Sequence, residues 1–345
     1  MSLSEALKGL LAVLIVTVGL ANEPAAQTPI RVSYQPLYWA LPFFIATEKG
    51  YWKEIGLAPE FSLFPAGPQQ IAAMQSWDLG GTGSPPAVLG AVRFGLLSIA
   101  IGTDESAVTS TMARAAETEK IIKNPASLKG QQLLVTTNST GEFSALACLK
   151  KFGLTRDDVQ IVNLAPAQLI SAYSNGNGTL AASWAPFAYV LQDKADAVEI
   201  CNGQQAGAYV TSSFVVRPDF AEKDPDTVAK TLAVYLRAVI WERKSRAETI
   251  AYLKRFNEKH GVSLSDKFLE IDHDRRRTFT LSEQLTIFDR AAGAATVDKW
   301  HNDLAAYLVG TGTITAIPDP KRFLTDRFLR MIDSDPKLRA FANGE

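Results

Sequence analysis

The chain has 345 residues, 47% of them apolar, with 35 Lys and Arg against 36 Asp and Glu for a formal charge of −1. That balance excludes a polybasic nucleic-acid binder and gives no electrostatic pull toward an anionic membrane surface. The length suits two domains of roughly 100–200 residues, each with a core of its own.

Lys8 precedes an apolar run over residues 10–18, followed by the small residues Gly19 and Ala21. The run is too short to span a bilayer and fits a secretory signal peptide over residues 1–21, cleaved after Ala21. No cysteine follows it, so a lipid anchor is not expected, and the periplasm is the expected compartment. Residues 30–34 then read as a strand, and the aromatic loop Gln35-Pro36-Leu37-Tyr38-Trp39 follows. A helix is expected to Gly50, a strand over 61–64 and a helix over 69–77.

Leu79 leads into Gly80-Gly81-Thr82-Gly83-Ser84-Pro85-Pro86. These residues read as a tight glycine turn opening a helix, with Ser84 as cap and proline in the first turn. Such a turn offers hydroxyls and N–H groups at a positive helix end, where an anion is favoured. A strand over 98–102 closes this first α/β run.

The alternation restarts with a strand over 132–136 and a second polar turn, Thr137-Asn138-Ser139-Thr140-Gly141, before a helix to Phe152. Strands over 159–162 and 180–184 and helices over 167–173 and 186–194 follow. Residues 209–216 read as extended and lead the chain back. Helices then dominate: one from Asp224-Pro225, one over 247–259, a capping box at Thr280-Leu281-Ser282-Glu283, and a last clear helix from Thr296 to Gly310. Strands alternating with helices predict two lobes with mostly parallel sheets. The expected division is 29–106 with 217–345 for lobe 1 and 107–216 for lobe 2, with hinge crossings near 105–111 and 212–217.

In open α/β sheets ligands bind beyond the carboxyl ends of the strands, where both polar turns would fall. Thr82, Gly83, Ser84, Ser139, Thr140 and Gly141 are therefore expected to face one small anion across a cleft. Trp184, Tyr38, Trp39, Phe143 and Tyr209 are candidates for its aromatic cover. Glu142, in a first helical turn, is a dipole-stabilised cap or a partner for a cationic group on the solute. Cys148 lies in an apolar helical pattern and is expected as a buried free thiol, although spacing leaves a bond to Cys201 open. Arg275-Arg276-Arg277 reads as solvated surface. His260, His273 and His301 lack metal-site spacing and no catalytic motif is present, so neither cofactor, metal nor enzyme activity is expected.

Val32-Ser33-Tyr34-Gln35, Glu48-Lys49-Gly50-Tyr51-Trp52, Gly83-Ser84-Pro85, Ser139-Thr140, Trp184-Ala185-Pro186 and Phe323-Leu324-Thr325-Asp326-Arg327-Phe328 occur in an order that carries a resemblance. The chain resembles the periplasmic solute-binding proteins of ABC transporters for taurine, alkanesulfonates and nitrate. That resemblance implies a type II periplasmic binding-protein fold, with added C-terminal helices on lobe 1. It also implies closure on a small organic anion, delivery to a membrane ABC permease and action as a monomer. Gly83-Ser84 and Ser139-Thr140 would hold the anion, Trp184 would pack on its body, and Tyr34-Gln35 would line the mouth. Two departures bear on the solute. Glu142 stands where relatives often carry His after the Ser-Thr turn. Where the taurine branch places an acidic residue ahead of the valine pair, this chain has Thr211-Ser212-Ser213-Phe214, so an ammonium would need Glu142, Asp104 or Glu105 instead. Alternatives are a pyrimidine, carboxylate or amine-bearing solute, a ligand-sensing module, or a thiamine-pyrimidine-synthase-like enzyme.

Overall fold

The computed structural model describes residues 27–345, and the expected signal peptide lies outside the described residues. Among the described residues eleven strands form two sheets. In chain order they are β1 (Thr28–Tyr34), β2 (Leu57–Leu63), β3 (Leu79–Gly83), β4 (Leu97–Asp104), β5 (Thr109–Arg114), β6 (Gln132–Val135), β7 (Gln160–Asn163), β8 (Leu180–Trp184), β9 (Ala197–Asn202), β10 (Thr211–Val216) and β11 (Arg277–Thr278). The first sheet is ordered β11-β4-β10-β3-β1-β2 and the second β7-β6-β8-β5-β9.

β1 pairs in parallel with β2 and β3, and β6 with β7 and β8. β10 is antiparallel to β3 and β4, and β5 is antiparallel to β8 and β9. Each sheet is thus mostly parallel in direction with one internal reversed strand, and the first sheet adds the two-residue β11, antiparallel to β4 at its edge. The internal reversed strands are the ones that carry the chain across. β5 enters the second lobe, and β10 returns to the first.

The crossings, between Asp104 and Thr109 and between Asn202 and Thr211, run side by side. Glu105 N donates to Val210 O at 2.8 Å, and Val210 N donates to Ser106 Oγ at 2.9 Å. All of β10 pairs in the first sheet, so the expected lobe 2 limit at 216 moves back ahead of Thr211. The expected crossing over 212–217 moves with it.

The glycines of the opening motif also differ from expectation. Gly80 and Gly81 lie within β3, and none of Gly80, Gly81 and Gly83 has a positive φ. Their use is close approach. A Cβ on Gly81 would fall 1.9 Å from the Trp39 ring, and one on Gly80 would fall 2.0 Å from Ser33 Oγ. The helix Ser84–Phe94 starts directly from this strand, with Gly83 as its N-cap.

The helix Pro225–Lys244 is buried along most of its length, with the Asp224 side chain capping Thr227 N. The capping box at Thr280 and Glu283 is formed. Two further helices, Arg327–Ser334 and Pro336–Asn343, follow Thr296–Gly310 and pack on the Pro225 helix. Cys148 and Cys201 form a disulfide, which corrects the expected free thiol. The helix Thr140–Lys151 lies beside the end of β9 and brings the two Cα atoms to 5.9 Å, within the range a disulfide spans. Among the described residues no helix is long and apolar enough to cross a membrane.

Candidate functional site

Between the lobes lies a cavity of about 20 Å³, room for roughly one water. Two helix starts meet across it. From lobe 1, Gly83 and Pro86 line it at the start of Ser84–Phe94; from lobe 2, Ser139 and Thr140 line it at the start of Thr140–Lys151. The lobes touch here, since a Cβ on Gly83 would stand 3.0 Å from Thr140 Cγ2.

The two ends are chemically unlike. Ser139 Oγ is a working N-cap, donating to Thr136 O at 2.6 Å and accepting from Gly141 N at 3.1 Å and Glu142 N at 3.4 Å. At the other end Pro85 and Pro86 carry no N–H, so hydroxyls matter more. Thr82 Oγ1 and Ser84 Oγ are buried and have no partner in the protein, and the same holds for Trp184 Nε1. An unpaired buried donor costs about 1–3 kcal/mol. Trp184 lines the cavity, and Thr82 and Ser84 stand on either side of the lining residue Gly83, so an acceptor entering there would have unpaired donors close by.

Trp39 and Trp184 supply aromatic walls, and Gln35, just after β1, and Ser212 of β10 also line the cavity. Trp184 stands at the end of β8, and Trp39 follows from the loop after β1. Gly67 also lines the cavity, and a Cβ there would meet Pro86 at 2.3 Å and Thr82 Oγ1 at 2.8 Å. Gln35 donates to Gln70, which in turn donates to Ser33 Oγ and Gly81 O at 2.7 and 2.8 Å. This network fixes the cavity-facing amide. Ser212 Oγ accepts from Thr103 N at 2.8 Å and lies 3.2 Å from Thr103 Oγ1.

The remaining wall is a carboxylate. Glu105 lines the cavity, takes a hydrogen bond from Thr103 Oγ1, and pairs with Arg276 Nη1. Arg276 also donates from Nε to Asp272 at 2.9 Å and from Nη2 to Ala185 O at 3.2 Å. It therefore ties a lobe 1 helix, the first crossing and the lobe 2 segment that follows Trp184. Its side chain is 0% exposed, against 43% for Arg275 and 59% for Arg277, so the basic run is not uniformly solvated. One guanidinium faces two buried carboxylates, leaving a formal negative charge in excess. Burial pushes the pKa values of Glu105 and Asp272 up, while Arg276 works against the rise. Burial works against the Arg276 charge too, but Asp272 and Glu105 outweigh it and hold the guanidinium firmly charged.

The cavity thus gathers Gln35, Trp39, Gly83, Ser139, Thr140, Trp184 and Ser212 of the expected set. Thr82 and Ser84 flank Gly83, and Gly141 packs back against Trp184 and Ala182. Other candidates lie elsewhere. Tyr34 packs among Phe61, Phe256 and His260 in the lobe 1 core. The Tyr38 hydroxyl is hydrogen-bonded to His273 Nδ1 at 2.7 Å. Asp104 accepts from Ser106 N at 2.9 Å and holds the crossing turn. Glu142 accepts from Asn138 N at 2.8 Å and from the Tyr307 hydroxyl at 3.0 Å. Phe143 and Tyr209 line a separate outer groove of about 1010 Å³ beside Tyr307, and Tyr209 stacks on Trp300 at 3.9 Å. Sequence reasoning missed Arg276. The available signal was Asp272-x-x-x-Arg276, a helical i,i+4 charge pair at the end of the helix Asp266–Asp274.

Two α/β lobes joined by paired crossings around a polar, donor-lined cavity define the periplasmic binding-protein fold. The chain belongs to the family described as NMT1/THI5 like, which matches residues 40–247. Among curated proteins it is similar to the taurine-binding periplasmic protein of Escherichia coli (strain K12), 31% identical over 337 residues, 92% of this chain and 98% of that one. Among solved structures it is similar to the periplasmic aliphatic sulphonate binding protein SsuA of Escherichia coli. There the TM-score is 0.69 at 20% identity, covering 88% of this chain and 99% of that one. The alkanesulfonate-binding SsuA of Xanthomonas axonopodis pv. citri, bound to MOPS, superposes with a TM-score of 0.70 at 20% identity, covering 87% and 99%.

Proposed function

We propose that the protein is an exported, monomeric solute-binding protein. It captures a small organic sulfonate between its lobes in the periplasm, in an arrangement wider than the described one, whose cavity has room for roughly one water, and delivers it to an ABC permease. The observation that carries this reading is the pair of helix starts facing each other across the interlobe cavity, lined by Trp184 with its Nε1 unpaired, and with the unpaired hydroxyls of Thr82 and Ser84 on either side of the lining residue Gly83. A sulfonate offers three acceptor oxygens and one charge, which matches several convergent donors at positive helix ends. Trp39 and Trp184 would cover its carbon chain. Binding on this plan uses no metal or cofactor and no catalytic group.

The other end of the cavity selects the substituent. Glu105 belongs to a buried cluster with one negative charge in excess, and a solute ammonium would balance it. Of the carboxylates considered from the sequence, Glu105 lines the cavity, whereas Asp104 and Glu142 are held elsewhere. Its carboxylate also sits beside Ser212, through Thr103, in the strand where the taurine branch carries its acidic residue. An amino-sulfonate such as taurine is therefore the favoured solute. A thermal-shift screen of the mature protein against taurine, ethanesulfonate, longer alkane- and arylsulfonates, nitrate, carboxylates and pyrimidines tests this. A solute at a hundredfold excess over Kd stabilises by about 2.7 kcal/mol. Taurine should give the largest shift; a shift with a pyrimidine and none with any sulfonate would overturn the reading.

A further inference from the structure

The solute grip on lobe 2 is tied to lobe 1 by a second set of contacts outside the cavity. Glu142 occupies the first turn of the helix Thr140–Lys151, and its side chain is 3% exposed. Its carboxylate accepts from Asn138 N, within the Ser139 turn, at 2.8 Å. Its other close partner comes from the opposite lobe: the Tyr307 hydroxyl donates to Oε2 at 3.0 Å. Tyr307 belongs to the helix Thr296–Gly310, which packs on the helix Ser84–Phe94 that carries the lobe 1 half of the grip. The Tyr307 ring also lies 5.0 Å from that of Phe143. Just beyond the same helix, Thr313 Oγ1 donates to Asn138 Oδ1 at 3.1 Å.

We infer that Tyr307 is a positioning residue for solute capture, latching the lobe 2 anion turn to lobe 1 through Glu142. A carboxylate in a first helical turn draws on the same positive helix end that receives the sulfonate. With the lobes apart, Glu142 keeps Asn138 N and the half-exposed Arg156, 3.7 Å away, but has lost its Tyr307 donor. Closing returns that donor, holds the carboxylate on the outer side of the helix, and leaves the inner side to the solute. Solute at Ser139 and Thr140 and Tyr307 at Glu142 then favour the same closed arrangement. The inference rests on the reading that the solute binds between the lobes, but not on which solute it is.

Tyr307→Phe removes the hydroxyl and keeps the ring on Phe143, while Glu142→Gln removes the charge at constant size. Two measurements decide the matter on the full chain: the interlobe distance distribution from one spin label on each lobe, and taurine association and dissociation rates by stopped flow. Tyr307→Phe should lower the closed population and speed taurine release about tenfold, the scale of one hydrogen bond to a charged group. Association and the melting temperature of the solute-free protein should stay unchanged. The effects of the two substitutions should fall short of additive, because Glu142→Gln weakens the contact that Tyr307→Phe removes. Coincident distance distributions for Tyr307→Phe and wild type, with and without taurine, would overturn the inference, and so would additive effects of the two substitutions. If wild type does not bind taurine, the solute assignment fails, while the same distance comparison run with the solute that the thermal-shift screen identifies still decides the latch.

Discussion

Replacing Glu105 by Gln should change which sulfonates the protein holds. The substitution keeps the shape of the side chain, removes its charge and leaves Arg276 paired one-to-one with Asp272. The excess negative charge disappears, so the fold should not suffer. A carboxylate and an ammonium about 4 Å apart attract by roughly 4 kcal/mol at an effective dielectric near 20. Stripping water from both reduces the net gain to about 1.5–3 kcal/mol, the range for hydrogen bonds to charged groups. Taurine affinity should therefore fall by about tenfold to a hundredfold, whereas ethanesulfonate, which lacks the amine, should bind as well or better. Titration calorimetry of both proteins with both solutes gives the ratio directly. The pH dependence supplies a second readout. Burial raises the Glu105 pKa, and a proton there competes with the ammonium. Wild-type taurine affinity should fall as pH drops, beginning above the ordinary carboxylate range, and the variant should lack that fall. An unchanged taurine-to-ethanesulfonate ratio in the variant would refute the reasoning, because ethanesulfonate binding certifies an intact site.

Two further predictions concern stability. Glu242 is buried with neither carboxylate oxygen hydrogen-bonded, and burial drives its pKa well above 4.5. Its proton is held more tightly in the folded state, so its favourable contribution is full below about pH 4.5 and is lost as pH rises toward the folded pKa. Glu242→Met should abolish that slope and stabilise by about 1–3 kcal/mol at pH 8; parallel unfolding curves for variant and wild type across pH 5–8, at about equal stability, would rule this out. Replacing both Cys148 and Cys201 by Ala opens a loop spanning 53 positions and should cost about 2–4 kcal/mol in urea denaturation. Two titratable thiols in unreduced, unfolded wild type would contradict the bond.

Features encoded by a few adjacent residues were legible in the sequence. Thr280 and Glu283 form their box and Asp224-Pro225 opens the Pro225 helix, because capping is local chemistry, but the cap expected at Ser84 falls to Gly83 and the Ser84 side chain makes no cap hydrogen bond. Lobe alternation was legible for the same reason. What failed depends on distant partners. Gly80 and Gly81 are needed because Ser33 and Trp39 press on β3, and nothing within Gly80-Gly81-Thr82-Gly83 distinguishes that use from a turn. β5 was passed over because Thr109-Ser110-Thr111-Met112 has no apolar alternation. Held between β8 and β9, it is buried on both faces despite its hydroxyls. Arg276 reads as surface in the sequence because a run of three arginines shows nothing of which one turns inward. Among the candidate site residues, Ser139, Thr140, Gly83 and Trp184 were legible as strand-end and helix-start positions. Tyr38 and Tyr209 were not separable from them, since an aromatic residue in a loop fits a core or a groove equally well.

The closed cavity also explains why closure should depend on solute. Held shut without a solute, it keeps Thr82 Oγ1, Ser84 Oγ and Trp184 Nε1 unpaired and retains an unbalanced carboxylate. Three unpaired donors at about 1–3 kcal/mol each disfavour that state by roughly 3–9 kcal/mol. The Tyr307 contact, at about 1.5–3 kcal/mol, offsets only part of this. Opening the lobes lets water reach the donors, so the solute-free protein should be mainly open. A plain sulfonate satisfies the donors but leaves the Glu105 cluster unbalanced, whereas an amino-sulfonate satisfies both ends. Selectivity would then arise largely in the closing step, because only the zwitterion removes every penalty that keeps the lobes apart. On that account Glu105→Gln should raise the closed fraction reached with saturating ethanesulfonate, and interlobe distances that do not move toward the closed value would separate selectivity from closure.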